Sequence, residues 1–308
     1  MIIRPHKSSL QLLFVWHGSI LRRILPQLGI VFVISVFCVL ATPWWAHLFP
    51  GEVLNLQPFT LMGLALAIFL GFRNSVSYNR FWEARQHWGS LLINARSLTR
   101  QVLSLVSPLH ADCRRHMVNG QIAFAHSLRH QLRNDDAQAD LDRLLPAEVA
   151  ARIGSARFKP AMLLLWLGET ASQAHRHGWI SDLQLQSMDR SLCTLSEVVG
   201  ACERIAGTPI PYTYHVLLNR TVMVYCLLLP MALSSSIGWL TPLISTFIAY
   251  TFFGLDEIGE EIADPFGVQP NDLALGAICH TIETSLREML DDGDALPLEP
   301  EPRHFVLH

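Results

Sequence analysis

The sequence predicts an all-α membrane protein with four apolar spans and a helical body outside the bilayer. Three observations carry that reading. Four segments are apolar and nearly free of charge. The long stretch between the second and third repeats its apolar residues with a helical period. Nowhere does the chain alternate apolar and polar residues over a useful length, as a half-buried strand would.

Composition sets the same bounds. Half of the 308 residues are hydrophobic and 16% are charged, with a mean hydropathy of +0.29. That is too apolar for an ordinary soluble domain and too charged for a chain embedded throughout. A formal net charge of −3 gives no bulk attraction to nucleic acid or to acidic substrates. The six cysteines form no CxxC pair and read as small buried hydrophobes.

Taken in order, Leu10 to Ile20 is a short apolar patch broken by Gln11, His17 and Gly18, with Arg22 and Arg23 behind it. It has no small-residue cleavage site, so an interfacial helix is expected rather than a signal peptide. The spans are Leu28–Trp45, Phe59–Phe72, Thr221–Leu233 and Ile237–Leu255. Several fall short of the roughly 20 residues of a lipid-exposed span, so helices that continue beyond the bilayer are expected. Pro230 and Pro242 are predicted to kink the last two. Arg4, Lys7, Arg22 and Arg23 precede span one, and Arg73, Arg80, Arg85, Arg96 and Arg100 follow span two, whereas the loops Ala46–Pro58 and Ser234–Ser236 hold no Lys or Arg. This asymmetry predicts cytoplasmic termini and a cytoplasmic body. The expected organisation is residues 1–77 (interfacial helix and spans one and two), 78–209 (helical body), 210–256 (spans three and four), 257–290 (a further helical segment) and 291–308 (a disordered tail rich in Pro and acid).

Span two is the most informative. Gly63, Ala67 and Gly71 recur every four residues, and Leu64, Ile68 and Phe72 recur one position along. On a helix these are adjacent stripes, one small and one bulky. The small stripe admits close helix approach. The bulky one either faces lipid or a neighbouring helix, or lines the throat of a pore.

In the body, Trp88, Leu91, Leu92, Ala95, Leu98, Val102 and Leu105 form a face that prolongs span two. Leu183, Met188, Leu192, Leu195, Val199, Cys202 and Ile205 form another, and Pro146, Pro160 and Gly178 punctuate the segment. A last helix is expected to open with Asn271 or Asp272 as N-cap and to bury Leu275, Ile278, Ile282, Leu286 and Met289.

Little points to catalysis or to a metal. His126 and His130 have the i, i+4 spacing of a helical metal pair, but no third ligand is evident, and an exposed helix surface is the expectation. His175 and His177 are equally bare. No Ser-His-Asp order, P-loop, GxGxxG or HExxH occurs. No enzyme, cofactor or metal is expected.

Several motifs together resemble one family. They are Arg4-Pro5, Phe69-Leu-Gly-Phe-Arg-Asn-Ser75, Tyr78-Asn-Arg-Phe-Trp-Glu-Ala-Arg85 with Trp88-Gly89, Ile210-Pro211-Tyr212, and Glu260-Glu-Ile-Ala-Asp-Pro-Phe-Gly267 followed by Asn271-Asp272-Leu273. The chain resembles a bestrophin of the bacterial branch, related to the thylakoid voltage-dependent chloride channels, over about residues 2–290. The resemblance implies a homopentameric ion channel in the bacterial inner membrane. Its partners would be other copies of the chain, lipid and the permeant inorganic ions. It implies a pore neck at Leu64, Ile68 and Phe72 and a cytosolic constriction at Ile210. The calcium-responsive animal members carry a run of acids after Pro-Phe-Gly. Here the run reads Val268-Gln269-Pro270-Asn271-Asp272 with one acid, too few oxygens for calcium.

Around this frame the residues leave alternatives open. Arg73 and Asn74 sit beyond the neck; Arg73 attracts anions, snorkels to the interface or pairs with Glu83 of a neighbour. Asp256, Glu257, Glu260, Glu261 and Asp264 crowd the end of span four and either concentrate cations or pair with arginines. Arg220 is expected to partner those acids. Selectivity for anions or for monovalent cations stays open, as does a different class, a membrane-anchored helical scaffold without conduction.

Overall fold

A computed structural model describes residues 19–48 and 55–292. The expected interfacial helix up to residue 18, residues 49–54 of the first loop and the tail from residue 293 lie outside the described residues. All regular elements among the described residues are helical. They are α1 (Leu21–Leu48), α2 (Leu56–Leu105), α3 (Ala111–Arg133), α4 (Gln138–Leu144), α5 (Ala147–Gly154), α6 (Lys159–Arg176), α7 (Asp182–Gly207), α8 (Tyr212–Ile237), α9 (Thr241–Glu261) and α10 (Leu275–Met289).

The described chain divides into two compact units. The apolar unit holds α1, the first half of α2 to Phe81, α8 and α9. Its core joins Ile24, Leu28 and Val31 of α1, Leu66 and Leu70 of α2, Val222, Tyr225, Cys226 and Leu229 of α8, and Ala249 and Phe253 of α9. Three stretches are long and apolar enough to cross a membrane: Leu21–Trp44, Leu56–Leu105 and Tyr212–Glu261, the last comprising α8 and α9. Phe32, Phe37, Leu243 and Phe247 stand exposed on α1 and α9. Large side chains in this number at the surface call for lipid or a protein partner.

Two sequence expectations are corrected here. Ser234–Ser236 is not a loop: α8 runs through it to Ile237, and the reversal falls on the 3-10 turn Gly238–Leu240. Gly238 takes φ 52°, which a residue without a Cβ adopts freely. Pro242 does not kink α9; it lies in the first turn, where its missing N–H costs no helical bond. Pro230 does lie inside α8.

The body comprises the second half of α2 from Trp82, helices α3 to α7, and α10. The α2 stripe Trp88, Leu91, Ala95, Leu98 and Val102 is buried, as is Met188, Leu192, Leu195, Val199, Cys202 and Ile205 of α7. Leu183 is exposed, because it falls in the first turn, ahead of the packed face. A capping box between Ser181 and Gln184 opens α7. Pro160 starts α6 rather than breaking it, and Gly178 ends the same segment at φ 71°. α10 begins at Leu275, later than the predicted Asn271 or Asp272 cap. The Asp272 carboxylate instead accepts from the Gln269 N–H at 2.7 Å, closing the loop that precedes the helix. Leu275, Cys279, Ile282 and Leu286 form the buried face of α10, and Met289 lies outside it.

Candidate functional site

The site is built on α2. Leu66 and Leu70 pack into the apolar core, and a residue two positions away on a helix is rotated by about 200°. Leu64, Ile68 and Phe72 are therefore presented on the opposite side, 61%, 49% and 64% exposed. Only 17% of the apolar window of α2 is buried, the least of the three candidate spans. The small stripe has a divided role within the chain. At Gly63 a Cβ would lie 2.6 Å from the Tyr225 hydroxyl, so this glycine admits α8. Ala67 and Gly71 face outward with the bulky residues, and a Cβ at Gly71 would meet nothing within 4 Å.

Directly after Phe72, the helix turns inward with charge. Arg73 is 3% exposed, and its guanidinium donates to the Asp256 carboxylate of α9 and, at 3.0 Å, to Nδ1 of His215 on α8. The second Asp256 oxygen accepts from the Asn219 amide at 3.1 Å. Within the chain the partner of Arg73 is thus Asp256, and Glu83 pairs with Arg204 in the body. Arg220, expected to hold these acids, is exposed and makes no ion pair among the described residues; Asn219, one position earlier on α8, takes that place.

The remaining acids are dispersed. Glu257 pairs with Arg23 at 2.8 Å, Glu260 lies 3.8 Å from His215, Glu261 is buried and Asp264 is exposed. Asn74 marks a close approach: a Cβ at Gly259 would overlap its side-chain oxygen. That oxygen and Arg73 Nε are buried and have no hydrogen-bond partner among the described residues. Ile210 is half-buried in the connection between α7 and α8.

In the body, Arg133 closes over the Pro265–Leu273 loop. Its guanidinium donates to the carbonyls of Phe266 at 3.2 Å, Gly267 at 3.0 Å and Leu273 at 3.3 Å. Burial, and then the charge of Arg129, hold its pKa below the ordinary arginine value. A fixed cation thus occupies the carbonyls of this loop, a feature that sequence spacing gave no means of seeing.

His126 and His130 do not lie on an exposed surface, which corrects the sequence expectation. His126 is buried, with Nε2 2.9 Å from Glu283 and Nδ1 3.4 Å from Asp140. His130 lies 3.1 Å from Asp140. Arg143 and Arg287 complete the cluster on Glu283. Burial alone would raise the Glu283 pKa, but hydrogen bonds from His126, Arg143 and Arg287 outweigh it and hold the carboxyl far below its ordinary value. No group of His, Cys, Asp and Glu suited to a metal occurs among the described residues.

Comparison with known proteins agrees with this architecture. Residues 1–288 match the family described as Bacterial/Fungal Bestrophin protein. The chain is 42% identical, over all of both chains, to a voltage-dependent anion channel-forming protein of Ralstonia nicotianae. It is likewise 42% identical, end to end, to the voltage-dependent anion channel-forming protein YneE of Escherichia coli. Among solved structures, a bacterial bestrophin homolog from Klebsiella pneumoniae superposes with a TM-score of 0.84 at 43% identity, covering 87% of this chain and 98% of that one.

Proposed function

Because the chain belongs to the bacterial and fungal bestrophin family, we propose that it forms a homopentameric ion channel of the bacterial inner membrane that passes small anions, with both termini cytoplasmic and four spans per subunit (α1, α2, α8 and α9). The observation that carries the reading is the outward face of α2. Leu64, Ile68 and Phe72 are large, apolar and uncovered on a helix whose other face is packed. Five copies around an axis make a narrow apolar ring, which loses water readily and blocks an ion that would shed hydration without gaining ligands. Ile210 forms the second constriction.

The names of the relatives support anions, and the ion pairs do the same. Asp256 is neutralised by Arg73 and Glu257 by Arg23, which removes two of the acids that would favour cations. Calcium does not act through the Pro265–Leu273 loop, because Arg133 already engages its carbonyls and Asp272 is its one acid after Pro-Phe-Gly.

Bilayer recording tests the reading. In asymmetric chloride the reversal potential should move towards the chloride equilibrium potential, and the triple variant Leu64→Ala, Ile68→Ala, Phe72→Ala should raise open probability. Reversal at the cation potential would overturn the selectivity, unchanged gating in the triple variant would overturn the neck, and absence of current would favour the non-conducting scaffold.

A further inference from the structure

A cavity of about 240 Å³ lies in the body where the C-terminal end of α3 meets the connection from α5 to α6. Its walls include Ser127, His130, Gln131, Asp135, Arg157 and Lys159. Three side-chain atoms of these residues, Ser127 Oγ, His130 Nδ1 and Gln131 Oε1, are buried and have no hydrogen-bond partner among the described residues. Ser127 is 1% exposed and does not make the bond to the carbonyl four residues back that helical serines commonly make. Buried polar atoms without partners are costly, so three along one cavity call for an occupant.

The chemistry of the walls is two-sided. Arg157 and Lys159 make no hydrogen bond or ion pair among the described residues and supply positive charge. On His130, Nε2 is 2.7 Å from the Arg129 guanidinium, which can only donate. Nε2 also meets the Asp140 carboxylate at 3.1 Å, so Nδ1 is the ring atom left to line the cavity with the Ser127 hydroxyl. That side suits a carboxylate. The other side is the reverse. Gln131 commits its amide nitrogen to Glu203 at 2.7 Å, so its free atom is the acceptor oxygen. Asp135 adds a carboxylate, and the end of α3 adds the negative pole of a helix. A bare oxyanion would be repelled there, whereas an ammonium group is attracted.

We propose that this cavity binds a small zwitterion of the free amino acid class, its carboxylate towards Arg157, Lys159 and Ser127 and its ammonium towards Gln131 and Asp135. With two cationic walls and one anionic wall, an acidic amino acid matches the charge best. A bound ligand would tie the end of α3 to the α5–α6 connection and so stiffen the body.

Calorimetric titration of the full-length protein in detergent tests this with L-glutamate, glutarate and inorganic phosphate. L-glutamate should bind saturably, and glutarate, which lacks the ammonium but carries more negative charge, should bind about tenfold more weakly. Lys159→Gln alters a side chain without a hydrogen bond or ion pair among the described residues, and Arg157→Gln one whose contact is an exposed stacking over the Phe158 ring, so each should weaken L-glutamate about tenfold with little change in thermal stability. Ser127→Ala should weaken binding while leaving the unliganded protein as stable or more so, since it deletes an unpaired hydroxyl. Glutarate or phosphate binding as tightly as L-glutamate would reduce the cavity to a plain anion site and overturn the proposal. Absence of saturable heat, with the cavity holding water only, would overturn it too, as would undiminished binding in the Arg157 and Lys159 variants.

Discussion

Two buried carboxylates in this protein are stabilised in different ways. Glu283 in the body is held by His126, Arg143 and Arg287, with Asp140 extending the cluster towards its exposed flank. Asp256 in the apolar unit has one cationic partner, Arg73, and one amide, Asn219. Around Glu283 the loss of one partner leaves others. Around Asp256 the loss of Arg73 leaves the buried carboxylate with the Asn219 amide, and the loss of Asp256 leaves the Arg73 guanidinium with His215, beside two buried polar atoms that have no partner among the described residues. The body is built with redundancy, and the segment next to Phe72 is built with little reserve.

The sharpest break of that comparison is Asp256→Asn. It keeps the shape and removes the charge facing Arg73, and should cost about 3–5 kcal/mol, as expected for an uncompensated buried ion. Glu283→Gln should cost less, about 1.5–3 kcal/mol, the range for losing hydrogen bonds to charged groups. Denaturant unfolding at matched protein concentration measures both. A larger loss for Glu283→Gln would reverse the ranking and sink the idea that the segment beside Phe72 is the brittle one.

Acid sharpens the same contrast. The Glu283 carboxyl titrates below its ordinary value of 4.5 in the folded protein, so its contribution to stability is complete above that pH and is lost as pH falls towards the folded value. Asp140 shifts in the same direction from 3.8: burial opposes the shift, and the charge of His126 with hydrogen bonds from Arg143 and His130 outweighs it. The thermal midpoint should therefore fall steeply below about pH 4.5, and Glu283→Gln should flatten that limb. An unchanged acid limb in the variant would show that the cluster is not what responds.

The contrast also explains what could be read from the chain alone. The helical faces were legible because a 3.6-residue period is local: Trp88, Leu91, Ala95, Leu98 and Val102 announce their buried side within four turns. So was the exposed stripe of α2. The ionic partners were not. His126 meets Glu283 at a separation of 157 residues, and Arg73 meets Asp256 at 183. Charge pairing over such distances leaves no periodic trace, which is why His126 read as surface and Arg220 as the partner for the acids. The Arg133 clasp on three carbonyls was hidden for a further reason, since its acceptors are backbone and carry no residue identity.

Glycines test the packing at finer scale. Gly259→Ala places a methyl against the Asn74 oxygen, between α9 and the residue that follows Arg73. Overpacking of this kind costs about 1–3 kcal/mol, and it should shift the open probability through α2. Wild-type stability and gating in this variant would mean that Asn74 swings away freely and that the contact does not restrain the helix.

Gly71 is the complementary case, with the smallest expected effect on the subunit itself. Within one chain a methyl there meets nothing, and replacing a mid-helix glycine by alanine stabilises by up to about 1 kcal/mol. If Gly71 and Ala67 seat a helix of a second copy, the same methyl obstructs assembly. The expected outcome of Gly71→Ala is therefore a weaker oligomer by light scattering, with the helix content unchanged. An intact assembly with a raised thermal midpoint would return this stripe to lipid and leave Gly63, against Tyr225, as its one position of close approach.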